Sequence, residues 1–373
     1  MVALMNDENP DLAALHARSV ARLGLTGALA RAFSRVPRHR FIPDLVWPDL
    51  TGPPLSRSED PVPWARCVYQ DQAVTTQVND GVPGGPGRVN RPTVSSSQPS
   101  VMAAMLQAAE VVPGAHVLEV GTGTGFNSAL LSELVGAEGS VTTIEVDPGV
   151  AGQAEACLRE TGHDVRVVSG DGADGYPNGA PYDALLATCA VVRVPTPWLT
   201  QVRPGGRIVL PWKPGAFLPG GMLARLVVDG SGAARGRFVG GTAFMLMRAQ
   251  RPSGGMHGHD AEPDEVRVVG EDPCRIITEG SSGPQMALTV PAWRYAPLPA
   301  VDGVERIWVS ATDCSAWARL RGDGRVEQGG PRRLWDEFER AHRVWVDQGR
   351  PPFTSYGLTI TAGGEQRVWL ESE

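Results

Sequence analysis

The sequence predicts an α/β protein in which a doubly wound, largely parallel sheet occupies the middle of the chain, with a helical segment before it and an additional α+β domain after it. Three observations carry this reading. Between His116 and Pro211 short apolar runs alternate with helical patterns, as parallel strands joined by helices require, and ligands of such sheets bind at the carboxyl ends of the strands. The run V-L-E-V-G-T-G-T-G-F-N (Val117–Asn127) leads a strand straight into glycines at alternate positions, where missing side chains let a ligand reach the backbone and the next helix present its N-terminus. Beyond the sheet, Trp293, Trp308, Trp317, Trp335, Trp345 and Trp369 accompany one long amphipathic pattern, which predicts a folded tail whose tryptophans form its core or, in part, a face that grips a peptide or a second subunit.

The elements follow in chain order. Asn9-Pro10 supplies a cap and a first-turn proline for a helix over Leu12–Leu23, ending near Gly24. A second helix is predicted over Thr26–Val36 and stopped by Pro37. After V-P-R-H-R-F-I-P (Val36–Pro43), about forty residues rich in Pro, Gly, Ser and Asn, including G-V-P-G-G-P-G from Gly81 to Gly87, predict a mobile loop. Order returns with a helix opening at Pro99, whose Val101, Met102, Met105, Leu106 and Ala109 share a face. Strands are predicted at His116–Val120, Val141–Val146, Val165–Ser169, Tyr182–Ala187 and Arg207–Pro211, with helices at Asn127–Val135 and Gly149–Thr161. In the tail, Leu334, Trp335, Phe338, Ala341 and Trp345 form one stripe of a helix over Arg332–Gln348, ended by Gly349 and Pro351-Pro352. Short strands around Gly363-Gly364 predict a hairpin. The expected division is a cap and substrate-side loop (1–98), a sheet domain (99–250), a linker (251–264) and an accessory domain (265–373).

Composition narrows the classes. With 42% hydrophobic and 20% charged residues the chain reads as an ordinary globular protein, and no segment approaches the ~20 apolar residues of a membrane span. The N-terminal M-V-A-L-M-N-D-E-N-P-D has no basic stretch followed by an apolar run, so a cytoplasmic location is expected. Cys67, Cys157, Cys189, Cys274 and Cys314 form no C-x-x-C pair, which argues against a disulfide framework or zinc knuckle and for small buried thiols. A net charge of -7 without a basic patch argues against nucleic-acid partners.

The second strand addresses the ligand. It ends in T-T-I-E-V-D, placing Glu145 about twenty residues beyond the glycine loop, where an acid accepts hydrogen bonds from ribose hydroxyls. Nicotinamide dinucleotides and S-adenosylmethionine both carry such a ribose; the G-x-G-x-G spacing leans toward the second. Read structurally, Glu119 is a strand-end acid bonded to backbone amides, Asp171 a turn residue, and Ser97 a helix cap.

V-L-E-V-G-T-G-T-G-F, T-I-E-V-D, G-D-G (Gly170–Gly172), P-Y-D-A-L-L-A-T-C-A and L-T-Q-V-R-P-G-G-R-I-V-L-P together resemble a class I, Rossmann-like methyltransferase. With V-P-R-H-R-F-I-P, V-Y-Q-D-Q-A (Val68–Ala73) and Ser97-Gln98-Pro99 added in this order, the chain is similar to protein-L-isoaspartate O-methyltransferases over roughly residues 25–250. The resemblance implies S-adenosyl-L-methionine as cofactor. Glu119 and the loop Gly121, Thr122, Gly123, Thr124 and Gly125 would hold its methionine part, Glu145 with Val146 its ribose, and Asp171 with Gly172 its adenine side. Ser97 would bond the carboxylate that accepts the methyl group, with Ser95 as a substitute. No metal is implied, nor a catalytic His or Cys, because a carboxylate with a pKa near ~4 is already ionised. His39 reads as packed against the cap, and His257-Gly258-His259 as linker and a poor metal site.

Two departures from the family pattern are expected to matter. The segment V-N-D-G-V-P-G-G-P-G-R-V-N-R-P (Val78–Pro92) is expanded, and Ser95-Ser96 replace the usual Thr-Ile. Family members usually end near residue 250, whereas this chain continues. The extended architecture resembles actinobacterial methyltransferases of this family that act on ribosomally made, cyclised peptides, where an aspartate ester closes to a succinimide. The implied activity is carboxyl O-methylation of an Asp or L-isoaspartate in a peptide or protein, with a dedicated peptide favoured over general repair. A peptide-binding escort without turnover is the non-enzymatic alternative; a nucleic-acid N-methyltransferase would need an N-P-P-Y-like tetrapeptide and a basic face, and A-T-C-A-V-V after the fourth strand supplies neither.

Overall fold

The strands and helices predicted between His116 and Ala187 all form, at nearly the predicted bounds; the apolar runs His116–Val120, Ser140–Glu145 and Tyr182–Ala187 are almost wholly buried, whereas Arg166–Ser169 at the sheet edge is not. The structure, a computed structural model, describes residues 10–84, 89–213, 221–251, 261–278, 285–286 and 289–371. It divides into two units, Met1–Thr188 with Thr200–Val209, and Cys189–Leu199 with Leu210–Glu373.

The first unit opens with helices α1 (Leu12–Arg22) and α2 (Gly27–Arg35), a short pair β1 (Leu45–Val46) and β2 (Leu55–Ser56), helix α3 (Pro61–Val68), strands β3 (Val74–Val78) and β4 (Pro92–Ser96), and helix α4 (Pro99–Ala109). Then come β5 (His116–Val120), α5 (Phe126–Val135), β6 (Ser140–Glu145), α6 (Pro148–Glu160), β7 (Arg166–Ser169) and β8 (Tyr182–Ala187). Helix α7 (Thr196–Gln201) and strand β9 (Val202–Trp212) run across the division between units. The parallel strands lie in the order β7-β6-β5-β8-β9. The chain therefore moves outward from β5 to β7 and returns to the other side of β5 for β8, leaving a crevice at their carboxyl ends where ligands of such sheets bind. Val117, Leu118, Leu130, Leu131, Leu185 and Leu186 fill the core beneath it.

Several expectations are corrected here. The cap of α1 is Asp11, which accepts from the Ala14 amide at 2.9 Å, so Pro10 precedes the helix rather than opening its first turn; Asn9 lies outside the described residues. The stretch predicted as a mobile loop contains α3 and the antiparallel pair β3–β4; its residues 85–88 lie outside the described ones. Pro61 sits in the first turn of α3, where a proline is tolerated rather than disruptive, and Trp64, Val46, Val68 and Val74 give the segment a core of its own. The thiols are not uniformly buried: Cys67 and Cys274 are, Cys157 and Cys189 are partly exposed, and Cys314 is exposed.

In the second unit, β10 (Gly221–Val228) and β11 (Ala234–Thr242) form a hairpin. A five-stranded antiparallel sheet has the order β12-β16-β15-β14-β13, where β12 is Glu265–Val268, β13 Trp293–Val301, β14 Val304–Ala311, β15 Trp317–Arg321 and β16 Arg325–Gly329. Helices α8 (Pro273–Thr278) and α9 (Leu334–Asp347) pack on one face of that sheet. The predicted stripe Leu334, Trp335, Phe338, Ala341 and Trp345 is buried, as are Trp293, Trp308 and Trp317, so these tryptophans are core. The predicted hairpin forms as β17 (Tyr356–Ile360) and β18 (Gln366–Leu370). Strand β17 pairs with β11, Ala234 opposite Ile360 and Arg237 opposite Gly357. A ladder of backbone hydrogen bonds thus ties residues 234–237 to the tail, and the unit boundary falls before β10 rather than at 251–264. His257 and His259 lie outside the described residues. No described helix is long and apolar enough to cross a membrane.

Candidate functional site

The turn after β5 places Gly121, Gly123 and Gly125 at φ of +97°, +54° and +84°, the left-handed region that side chains disfavour. The Gly121 and Thr122 amides both donate to the Ile144 carbonyl, at 2.8 and 3.2 Å, so the loop sits across the end of β6. There Glu145 accepts from the Gly123 amide at 3.0 Å through Oε2 and from the Asp147 amide at 3.1 Å through Oε1. A β-carbon on Gly123 would lie 3.5 Å from the Ser95 carbonyl oxygen. The loop is therefore faced by the strand that leads to Ser97. Gly123 and Thr124 also line a cleft of about 400 Å³ with Phe41, Val94, Asp147 and Val150.

Glu119 does not join this surface. It is fully buried, and its carboxylate accepts from Asn127 Nδ2 at 2.7 Å, from Thr143 Oγ1 at 2.7 Å and from the Ser128 hydroxyl. Burial raises its pKa, against those hydrogen bonds, with Glu145 adding to the rise. Thr143 also bonds the Thr122 hydroxyl at 2.8 Å, so Glu119 is linked through Thr143 to the loop from below. Asn127, Ser128, Thr143 and Thr188, whose hydroxyl donates to the Gly121 carbonyl, support the loop and were missed by the sequence reading; polar Asn-Ser in the first turn of α5, straight after the glycines, was the available signal. Asp171 accepts from the Ala173 amide at 2.9 Å, a turn residue, with Gly172 buried beside it and Val146 exposed at the end of β6.

Arg38 draws the three outlying motifs together. Its guanidinium is buried and donates to the carbonyls of Val68 (2.8 Å), Gln70 (3.3 Å), Gln72 (2.9 Å), Ser96 (2.9 Å) and Ser97 (3.0 Å), and to Ser96 Oγ (3.2 Å). Burial lowers its pKa to about 10, while Cys67, Asp71 and Tyr69 act the other way; it stays charged. Ser97 does not cap α4. Asp71 does, accepting from the Ser100 amide at 2.9 Å and from Gln98 Nε2 at 3.2 Å. Although burial opposes it, these bonds and Arg38 hold the Asp71 carboxyl below its ordinary range. The Ser97 hydroxyl is left with no hydrogen-bond partner among the described residues, while Ser95 is held in the ladder opposite Thr75.

His39 bonds the Tyr69 hydroxyl through Nδ1 and meets its ring edge-on, which is the packing role expected of it. Burial, helped by Arg57, His16 and Arg40, lowers its pKa from 6.5 to about 4. The unfolded chain therefore takes up a proton between pH 6.5 and 4 that the native protein refuses, so stability falls as the pH drops through that window and is unaffected above it. Thermal melts at about pH 7 and about pH 4.5 should show this loss, and His39→Gln should flatten it in part, since burial lowers His163 as well.

Glycines whose missing β-carbons leave room against the Ser95 strand, an acid at the end of β6, and the buried Asn127 Oδ1 without a donor among the described residues suit an adenosyl cofactor lying across the carboxyl ends of β5 and β6. Comparison with known proteins agrees. A family profile described as Protein-L-isoaspartate(D-aspartate) O-methyltransferase (PCMT) matches residues 61–218. A protein-L-isoaspartate O-methyltransferase of Gloeobacter violaceus is 38% identical over 185 residues, 49% of this chain and 73% of that one. Protein-L-isoaspartate O-methyltransferase 2 of Archaeoglobus fulgidus is 32% identical over 232 residues, 61% of this chain and 88% of that one. A solved protein-L-isoaspartate O-methyltransferase shares the fold with a TM-score of 0.54 at 21% identity, over 97% of this chain and 100% of that chain.

Proposed function

The chain belongs to the protein-L-isoaspartate O-methyltransferase family, and from that membership we propose that it methylates an aspartyl-type carboxylate, Asp or L-isoaspartate, within a peptide or protein. It is a methyltransferase whose cofactor is S-adenosyl-L-methionine. When bound, that cofactor supplies a sulfonium-activated methyl group. The Gly121–Gly125 loop, Glu145, Val146, Asp171 and Gly172 hold it in this reading, with Glu119 acting only through the loop.

The observation that carries the proposal is the Ser97 hydroxyl, unpartnered among the described residues, at the end of a strand held by Arg38 and facing the glycine loop. A neutral donor suits an acceptor carboxylate: it orients one oxygen without quenching the other as a nucleophile. No general base is needed, because the acceptor is already ionised at neutral pH. Losing one hydrogen bond to a charged group weakens the transition state by about 1.5–3 kcal/mol, so Ser97→Ala should lower methyl transfer about 10- to 100-fold. Calorimetry should find its affinity for S-adenosylhomocysteine unchanged. Equal loss in Ser95→Ala with Ser97→Ala active would move the role to Ser95.

Within this reading a single ribosomally made peptide, methylated at Asp and then closing to a succinimide, is favoured over general isoaspartate repair by the expanded Val78–Pro92 segment next to the acceptor strand. The tail weighs less than that segment, because the fold similarity to a solved protein-L-isoaspartate O-methyltransferase extends over 97% of this chain. Methyl transfer from labelled S-adenosylmethionine to matched linear isoaspartyl and aspartyl peptides, read as base-labile methanol, decides. Turnover confined to the isoaspartyl peptide would make the protein a repair enzyme. Activity on neither, with cofactor bound, is the result expected for a dedicated folded peptide, and a methyl ester stable for days at neutral pH would remove the succinimide step.

A further inference from the structure

The five-stranded sheet of the second unit has a second face with its own chemistry. Ile307, Val309, Ala318, Leu320 and Val326 point into the core, so the alternate positions Arg306, Arg319, Arg321, Arg325 and Glu327 share the opposite side. They line a cleft of about 210 Å³. Arg306 stands directly opposite Arg321 on the neighbouring strand, an arrangement that like charges disfavour.

The local carboxylates do not balance these cations. Glu327 is shared between Arg319 (2.7 Å) and Arg325 (2.8 Å), Arg321 reaches Asp323 at 2.8 Å, and Asp302 acts on Arg321 only from farther away. Arg306 has one long hydrogen bond, 3.5 Å to the Pro299 carbonyl, and no carboxylate within 4.0 Å among the described residues. These ion pairs thus set two carboxylates against three guanidiniums, and Arg306 adds a fourth that faces Arg321. The more exposed of these pairs, Arg321–Asp323, contributes little, and the planar guanidinium fork matches a carboxylate.

We propose that this arginine cleft docks an acidic peptide segment, with neighbouring Asp or Glu side chains completing the pairs that the sheet leaves open. Nucleic acid fits less well. The tryptophans of the same face, Trp308 and Trp317, are 1% and 7% exposed and lie near Arg294 and Arg319, leaving no ring for a base to stack on.

The test uses the full chain and fluorescein-labelled octaglutamate, read by fluorescence anisotropy, with octaglutamine, octalysine and an octathymidine oligonucleotide as comparisons. Octaglutamate should bind most tightly and weaken with added salt, and the Arg306→Glu/Arg321→Glu double variant should lose at least about tenfold in affinity. Should that variant melt abnormally, Arg306→Gln with Arg325→Gln removes two charges without reversing any and should reduce the salt dependence. Equal binding of octaglutamine, tighter binding of the oligonucleotide, or unchanged octaglutamate affinity in a folded variant would each overturn the proposal.

Discussion

Gly123→Val is expected to remove S-adenosylhomocysteine binding, by at least about 100-fold in calorimetry, or ~2.7 kcal/mol. Two effects add. The backbone at Gly123 sits at φ +54°, where an ordinary residue is strained by roughly 1–2 kcal/mol and a β-branched one by more. The valine side chain would also enter the space between the loop and the Ser95 carbonyl, 3.5 Å from where its β-carbon must go, and disturb the 3.0 Å bond from the Gly123 amide to Glu145. Gly136→Ala separates the two contributions. Gly136 has φ +65° and ψ -168°, a region essentially reserved for glycine, with nothing within 4 Å of an added β-carbon, so that variant carries backbone strain alone and should bind the cofactor normally with a lower melting temperature. Normal binding by Gly123→Val would show that the glycine loop is not the cradle.

The parallel sheet was legible because its signal is local. Runs such as Tyr182–Ala187 or His116–Val120 need only their own side chains to declare a buried strand, and the glycines that follow β5 announce the turn that ends it. The segment between Pro43 and Pro99 was illegible for the opposite reason. Its prolines, glycines and serines look like loop, and what orders α3 and the β3–β4 pair is remote: Trp64 packing on Val46 and Val74, and carbonyls of Val68, Gln70 and Gln72 gathered by an arginine some thirty positions upstream. Glu119 shows the same limit within the site. An acid at a strand end beside a glycine loop reads as a ligand contact, and only the folded neighbours Asn127, Ser128 and Thr143 reveal that its oxygens are already taken. In the tail the helix stripe was visible at its 3.6-residue period, whereas the strands carry arginines on their outer face and break no composition rule that would mark them.

Arg38→Met should cost about 3–5 kcal/mol of stability, because it strands the carbonyls of Val68, Gln70, Gln72, Ser96 and Ser97 and the Ser96 hydroxyl in a buried place. For a unit of this size that corresponds to a fall in melting temperature of roughly 10 °C. Lysine should not rescue it: an ammonium offers three donors from one point, whereas the guanidinium spreads five N–H groups in a plane wide enough to reach motifs on both sides. The functional consequence separates this residue from an ordinary core position. Measured well below the melting transition, Arg38→Lys should keep its affinity for S-adenosylhomocysteine, since Gly121–Gly125 and Glu145 are held by β5 and β6 without Arg38. Its KM for the acceptor peptide should rise, because the strand end carrying Ser97 loses the 3.0 Å bond that fixes it. A parallel loss of cofactor affinity would mean that the knot supports the whole site, and an Arg38→Lys protein with unchanged melting and unchanged KM would show that the three motifs are held together by their packing alone.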